Sequence, residues 1–141
     1  MTKPCRVVLT EPVEVRFAEK VMNTDAVPLV AEGWRYLLEH ELCSESGFPN
    51  WAASCFWVPG RGFVTVTIDE NDGEMWVGMA YVKKEFRREG IMQILWTCVV
   101  EYARTKGCQS VGCMVFPDNQ EMRAVGERFG KLRSLVYEFK V

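Results

Sequence analysis

Val82-Lys83-Lys84-Glu85-Phe86-Arg87-Arg88-Glu89-Gly90-Ile91-Met92-Gln93-Ile94-Leu95 is the stretch on which the fold turns. Upstream of it, Glu74 to Val82 is the most apolar run in the chain and reads as a central strand buried on both faces. Downstream, Ile91, Ile94, Leu95, Cys98, Val99, Tyr102 and Ala103 recur at helical spacing, and Lys106-Gly107 closes that helix. Between them lies a short charged loop, with Gly90 where the helix opens. The first N–H groups of a helix have no partner within it, and its dipole adds partial positive charge there, so this junction suits an anion. Gly90 lets the main chain approach a guest closely. Lys83, Lys84, Arg87 and Arg88 add formal positive charge, and a pyrophosphate fits such a site. The G-x-x-x-x-G-K-[ST] pattern is absent, and only one glycine of the dinucleotide fingerprint is present, so neither of those nucleotide loops applies. Many strand-to-helix turns carry a glycine and basic residues, so the loop alone supports an anion site and nothing finer.

Working outward, Cys5 to Leu9 and Val13 to Phe17 read as short strands. Thr24 or Asp25 caps a helix with Pro28 in its first turn, continued by Val30, Trp34, Leu37, Leu38 and Leu42. Cys43 to Asn50 is a loop. Ala53 to Val58 and Phe63 to Ile68 are strands joined by Pro59-Gly60-Arg61-Gly62, and Asp72-Gly73 is a hairpin turn leading into Glu74. Beyond the long helix, Val111 to Phe116 is a buried strand, Asp118 or Asn119 caps a helix ending at Gly130, and Leu135 to Val141 is a last strand. The eleven residues after Gly130 fit one strand and not two, which leaves a sheet edge that is open, covered by a second copy of the chain in a homodimer, or completed by the N-terminal strands. The meander pairs antiparallel, whereas the helical connection from Val82 to Val111 requires a parallel crossover. The expected class is α/β: a mixed sheet with helices on both faces, in a single domain over residues 1–141.

The 141 residues are 48% hydrophobic and 26% charged, with a net charge of −2 and a pI near 5.5. A domain that coats nucleic acid carries a basic excess, so that partner class is disfavoured. No apolar run is long enough to span a membrane, and Met1-Thr2-Lys3-Pro4-Cys5 lacks the apolar core of a signal peptide. The six cysteines form no C-x-x-C pair and His40 is the one histidine, so no metal site is expected. Cys55, Cys98 and Cys113 sit in apolar runs, as reduced thiols of a cytoplasmic protein do.

The loop and its flanks resemble the acetyl-CoA-binding motif of the GNAT acyltransferase superfamily, V-x-P-x-[YF]-R-[GR]-x-G-I-[GA]-x-x-L. Val82, Phe86, Arg87, Arg88, Gly90, Ile91 and Leu95 match it, while Lys84 stands where Pro is common and Met92 where Gly or Ala is usual. Asn119 to Gly130 is similar to the N-x-x-A-x-x-L-Y-x-x-x-G stretch of the same family, and the resemblance runs from Glu74 to about Lys131. It implies an N-acetyltransferase carrying an acetyl group from acetyl-CoA to a primary amine of a small molecule or protein. Pantetheine would pair with the main chain of Tyr81 and Val82. The pyrophosphate would meet the N–H groups of Arg88, Glu89, Gly90, Ile91, Met92 and Gln93 beside Arg87, and Asn119 would face the coenzyme. Gly126 occupies the position of the Tyr that protonates the leaving thiolate in the family. That departure and Met92 favour an alternative, a family-like fold that has lost catalysis and serves as a binding or assembly protein.

For the base that such a transfer needs, the residues offer Glu74, expected to share a strand face with Trp76, Gly78, Ala80 and Val82. The plainer reading of Glu74 is a solvated residue after a hairpin turn. His40 and the carboxylates Glu39, Glu41 and Glu45 read first as helix-end groups, and the five tryptophans first as core, with Trp51 and Trp57 candidates for an acceptor pocket.

Overall fold

In a computed structural model of the chain, residues 13–40, 42, 49–71, 73–114, 124, 131–133 and 136–140 are described, with residues 114, 131–133 and 136–140 as backbone only. The expected strand over Cys5–Leu9 lies outside the described residues, as does the helix expected over Asn119–Gly130 apart from Ala124, which is helical.

Alternation of β-branched and aromatic residues builds the meander. Strand β1 (Arg16–Ala18) pairs antiparallel with β2 (Ser54–Val58), β2 with β3 (Gly62–Asp69), and β3 with β4 (Glu74–Val82). Gly73, at φ 64°, makes the turn before β4 and donates its N–H to Asp69 O at 2.9 Å. After β4 comes a single 3-10 turn (Lys84–Phe86), then helix α2 (Ile91–Thr105), which returns the chain to β5 (Ser110–Met114), parallel to β4. Two further strands follow, β6 (Lys131–Arg133) and β7 (Val136–Lys140), and the order across the sheet is β1-β2-β3-β4-β5-β7-β6.

That C-terminal hairpin corrects the expectation of one last strand. A three-residue β6 and a two-residue connection, 134–135, fit within the tail, and β7 rather than β6 lies against β5. Among the described residues, the sheet edge on this side is therefore the short β6.

Helix α1 (Val27–Glu39) and α2 lie on opposite faces of the sheet. On the α2 face, Ile91, Leu95, Trp96 and Val99 pack against Phe56, Val64, Val66, Met75 and Val77. On the α1 face, Leu29 and Val30 pack against Cys55, Trp57, Phe63 and Tyr81. Gly33 brings α1 close to the sheet: a Cβ there would lie 2.5 Å from Phe63 Cε1 and 3.0 Å from Tyr81 Cδ2. The helix begins with Pro28 in its first turn as expected, but Ala26 occupies the cap position. Thr24 is committed to the preceding turn, where its hydroxyl accepts the Ala26 N–H at 3.2 Å and donates to Val21 O at 2.6 Å.

Strand β4 departs from simple alternation. Thr65 pairs with Met79 but Val66 pairs with Val77, so Gly78 is an extra residue, a β-bulge. Met75 and Val77 face α2 before the bulge, and Ala80 and Val82 face it afterwards, while Met79 and Tyr81 face α1. Glu74 and Trp76 therefore share a face with Met79 and Tyr81, not with Ala80 and Val82. Nor is β4 buried on both faces: Gly78 is exposed, and Glu74, Trp76, Met79 and Ala80 are half-buried.

Candidate functional site

The bulge coincides with the end of the described β4–β5 pairing. Among the described residues, that pairing runs from Glu74↔Ser110 to Val77↔Cys113, and Gly78 to Val82 carry no β5 partner, which leaves an opening on that side of β4. On its other side this segment stays zipped to β3 as far as Gly62↔Val82, and the Lys83 N–H continues the ladder by donating to Arg61 O at 2.8 Å. Main-chain groups alternate sides along a strand. With Lys83 aimed at β3, the N–H and C=O of Tyr81 aim there too, and those of Ala80 and Val82 aim into the opening.

The chain then turns sharply into α2. Arg88 takes a left-handed φ of 66° and Gly90, the cap of α2, one of 82°. Left-handed residues in a tight turn bring successive N–H groups into one concavity, the geometry of main-chain anion nests. No side chain caps α2 and its first turn holds no acidic residue. Among the described residues, no main-chain hydrogen bond uses the N–H groups of Arg88, Glu89, Gly90, Ile91, Met92 or Gln93. Met92, at the position where a small residue was expected, packs its side chain against the α2-side core.

Side chains from three elements meet at the open end of β4. Arg87 donates from Nε to Val82 O at 2.9 Å, and its guanidinium carbon lies 5.0 Å from the centre of the Tyr36 ring. The Tyr36 and Tyr81 rings are 5.2 Å apart. Tyr81 donates its phenol to Glu32 Oε2 at 3.1 Å, and Lys83 Nζ lies 3.4 Å from Glu32 Oε1. Burial, reinforced by the hydrogen bond to Glu32, pushes the Tyr81 phenol up to about 12. Sequence reading passed over Glu32, since no local pattern links residues 49 apart that meet only when α1 docks.

The remaining candidates fall elsewhere. Glu74 is half-buried opposite Asp69 and Ser110, at the closed end of the β4–β5 pair. His40 stacks on Tyr36 at 4.0 Å and donates from Nδ1 to Tyr36 O at 2.8 Å, a helix-end role. Trp57 is buried in the α1-side core and Trp51 packs at its margin. Cys55 and Cys113 are buried thiols whose desolvation pushes each up to about 12. Asn119, Gly126, Glu41 and Glu45 lie outside the described residues. Among the described residues, no group of three or more His, Cys, Asp or Glu could hold a metal ion, and no helix is long and apolar enough to cross a membrane.

Residues 31–130 match the Acetyltransferase (GNAT) family. No relative among curated proteins matches the sequence. Solved structures share the architecture. N-acetylglutamate synthase from Neisseria gonorrhoeae, complexed with coenzyme A and N-acetyl-glutamate, is similar at TM-score 0.70 and 13% identity over 92% of this chain. This chain spans 36% of that protein's length. IAA acetyltransferase from Bacillus cereus ATCC 14579 is similar at TM-score 0.68 and 10% identity, over 92% of this chain and 100% of that one. An acetyltransferase of the GNAT family from Staphylococcus aureus Mu50 is similar at TM-score 0.65 and 11% identity, over 90% and 99%. At such identities these likenesses speak for the fold alone.

Proposed function

The chain belongs to the acetyltransferase (GNAT) family, and from that membership we propose that it is an N-acetyltransferase moving the acetyl group of acetyl-CoA to a primary amine on a small molecule or protein. The observation that carries this reading is an adjacency. Among the described residues, the main-chain N–H groups of Arg88 to Gln93 have no main-chain partner, and they follow closely on a strand end, Gly78 to Val82, that carries no β5 partner.

Acetyl-CoA supplies the acyl group as a thioester, activated by its leaving thiolate. In this reading, Arg88, Glu89, Gly90, Ile91, Met92 and Gln93 grip the diphosphate through their amides, where the α2 dipole favours negative charge. The main chain of Ala80 and Val82 offers the open-side groups for the pantetheine amides, with Arg87 holding the Val82 carbonyl in place. Asn119 keeps its proposed position beside the coenzyme.

An amine that is protonated at neutral pH must lose a proton before it can attack. Glu32 is the carboxylate bonded to the open segment of β4, and in this reading it receives that proton. The Tyr81 phenol, held up near 12, stays protonated and fixes the Glu32 carboxylate in direction. Met92, one ground for a non-catalytic alternative, is half-buried with its side chain against the α2-side core, which supports room for the coenzyme. The reading also includes a cytoplasmic enzyme. A homodimer formed edge to edge would have to use β1 or β6, the outer strands among the described residues.

Thermal melting with and without acetyl-CoA tests the proposal, because a ligand that binds only the folded form raises the melting temperature. The expected result is a coenzyme-dependent rise that Gly90→Asp abolishes by setting a carboxylate in the amide cup. No rise, together with no heat on titration with acetyl-CoA, would end this reading.

A further inference from the structure

We infer that Thr65 is a positioning residue of the coenzyme gap: its buried hydroxyl pins the bulge at Gly78, and so selects which main-chain groups of β4 face the opening. Thr65 is one of two buried polar residues among those described, with 5% of its surface exposed. Its Oγ1 accepts the N–H of Met79 at 3.0 Å, directly after the extra residue of the bulge. A Cβ on Gly78 would sit 3.1 Å from the same oxygen, so hydroxyl and bulge fill one space.

The consequence follows from strand geometry. Side chains and main-chain groups both alternate with period two, so a slip of one residue turns every group after the slip to the opposite side. With the bulge in place, Ala80 and Val82 direct their N–H and C=O into the opening, and Tyr81 sends its phenol to Glu32. Were Gly78 drawn back into an even ladder, the main chain of Tyr81 would face the opening and its ring would leave α1. Among the described residues the last β4–β5 pair, Val77↔Cys113, stands just before the bulge, so the place where the described pairing ends is also the place that the hydroxyl holds. An apolar isostere would keep the packing and lose the acceptor. Thr65 acts through the main chain and need not touch the coenzyme.

The inference rests on the acetyl-CoA reading for its functional arm only. Thr65→Val, Thr65→Ser and the wild type are compared by titration calorimetry with acetyl-CoA and by native-state hydrogen exchange at the Met79 amide. Thr65→Val is expected to weaken acetyl-CoA about tenfold, the worth of one net hydrogen bond, and to speed Met79 exchange by a similar factor. Thr65→Ser, which keeps the oxygen, is expected to restore both. Should Thr65→Val not fold, Thr65→Ala reads the same two signals. Wild-type affinity and exchange in the apolar variant, or a Thr65→Ser as weak as Thr65→Val, would overturn the inference. If the wild type binds no acetyl-CoA, the functional proposal falls, and the exchange arm alone decides whether Thr65 holds the bulge.

Discussion

The phenol of Tyr81 donates to Glu32 Oε2 at 3.1 Å, tying the open end of β4 to α1 across 49 residues. Burial and the Glu32 bond raise the Tyr81 phenol from its ordinary 10 to about 12. A raised folded-state value means that the unfolded chain gives up this proton first. The associated stability is whole below pH 10 and drains away between 10 and 12. The melting temperature of the wild type should therefore fall more steeply over that interval than that of Tyr81→Phe. Parallel curves for the two proteins would show that the phenol is not held as described.

Gly33 is the contact that lets Glu32 reach Tyr81. Phe63 is fully buried, and a methyl group on Gly33 would overlap its ring edge. Gly33→Ala should cost about 1–3 kcal/mol, as overpacked cores do. Urea unfolding should show a lower midpoint at unchanged slope. The variant should also lose the high-pH signature of Tyr81, because α1 must lift for the methyl group to fit.

Much of this architecture is legible in the chain itself. The 3.6-residue spacing from Ile91 to Ala103 marks α2, and the run into Gly90 marks its beginning, because both depend on local periodicity. The bulge is not legible in that way. Gly78 looks like one apolar position among others, and strict alternation then assigns Ala80 and Val82 to the face of Glu74, when the fold turns them to α2. The signal is split between Gly78 and Thr65 on neighbouring strands and appears only once the two are paired. The β6–β7 hairpin escapes for a related reason: a three-residue strand carries too little alternation to stand out from a tail.

Two left-handed residues shape the turn proposed to hold the diphosphate, and they should respond differently to substitution. Gly90 sits at φ 82°, where a Cβ costs about 1–2 kcal/mol. Gly90→Ala should lose about that much stability and weaken acetyl-CoA binding. Arg88, at φ 66°, already bears the strain. Arg88→Gly relieves it while adding freedom to the unfolded chain, so stability should stay within about 1 kcal/mol of the wild type. Its acetyl-CoA affinity should fall modestly and become less sensitive to salt, since one exposed charge near the diphosphate is gone. Chemical denaturation and calorimetry at two salt concentrations check both.

The same geometry ranks the two carboxylates that could serve as base. Glu74 is paired opposite Ser110, at the end where β4 and β5 are still joined, four residues before the extra residue of the bulge. At a strand rise of about 3.3 Å per residue, that is about 13 Å along the chain from where the opening begins. Glu32 meets the opened segment itself through Tyr81 and pairs with Lys83 at the strand end. Release of free thiol from acetyl-CoA, followed over a panel of primary amines, separates the two. Glu32→Gln should lower kcat/KM for the amine by about a hundredfold, the usual scale of a lost general base, and leave the KM for acetyl-CoA unchanged. Glu74→Gln should leave both constants at wild-type values. The opposite pattern would move the base to the closed end of the strand, and the amine would then have to reach the thioester along the same sheet face from beside Trp76 and not from beside Tyr81.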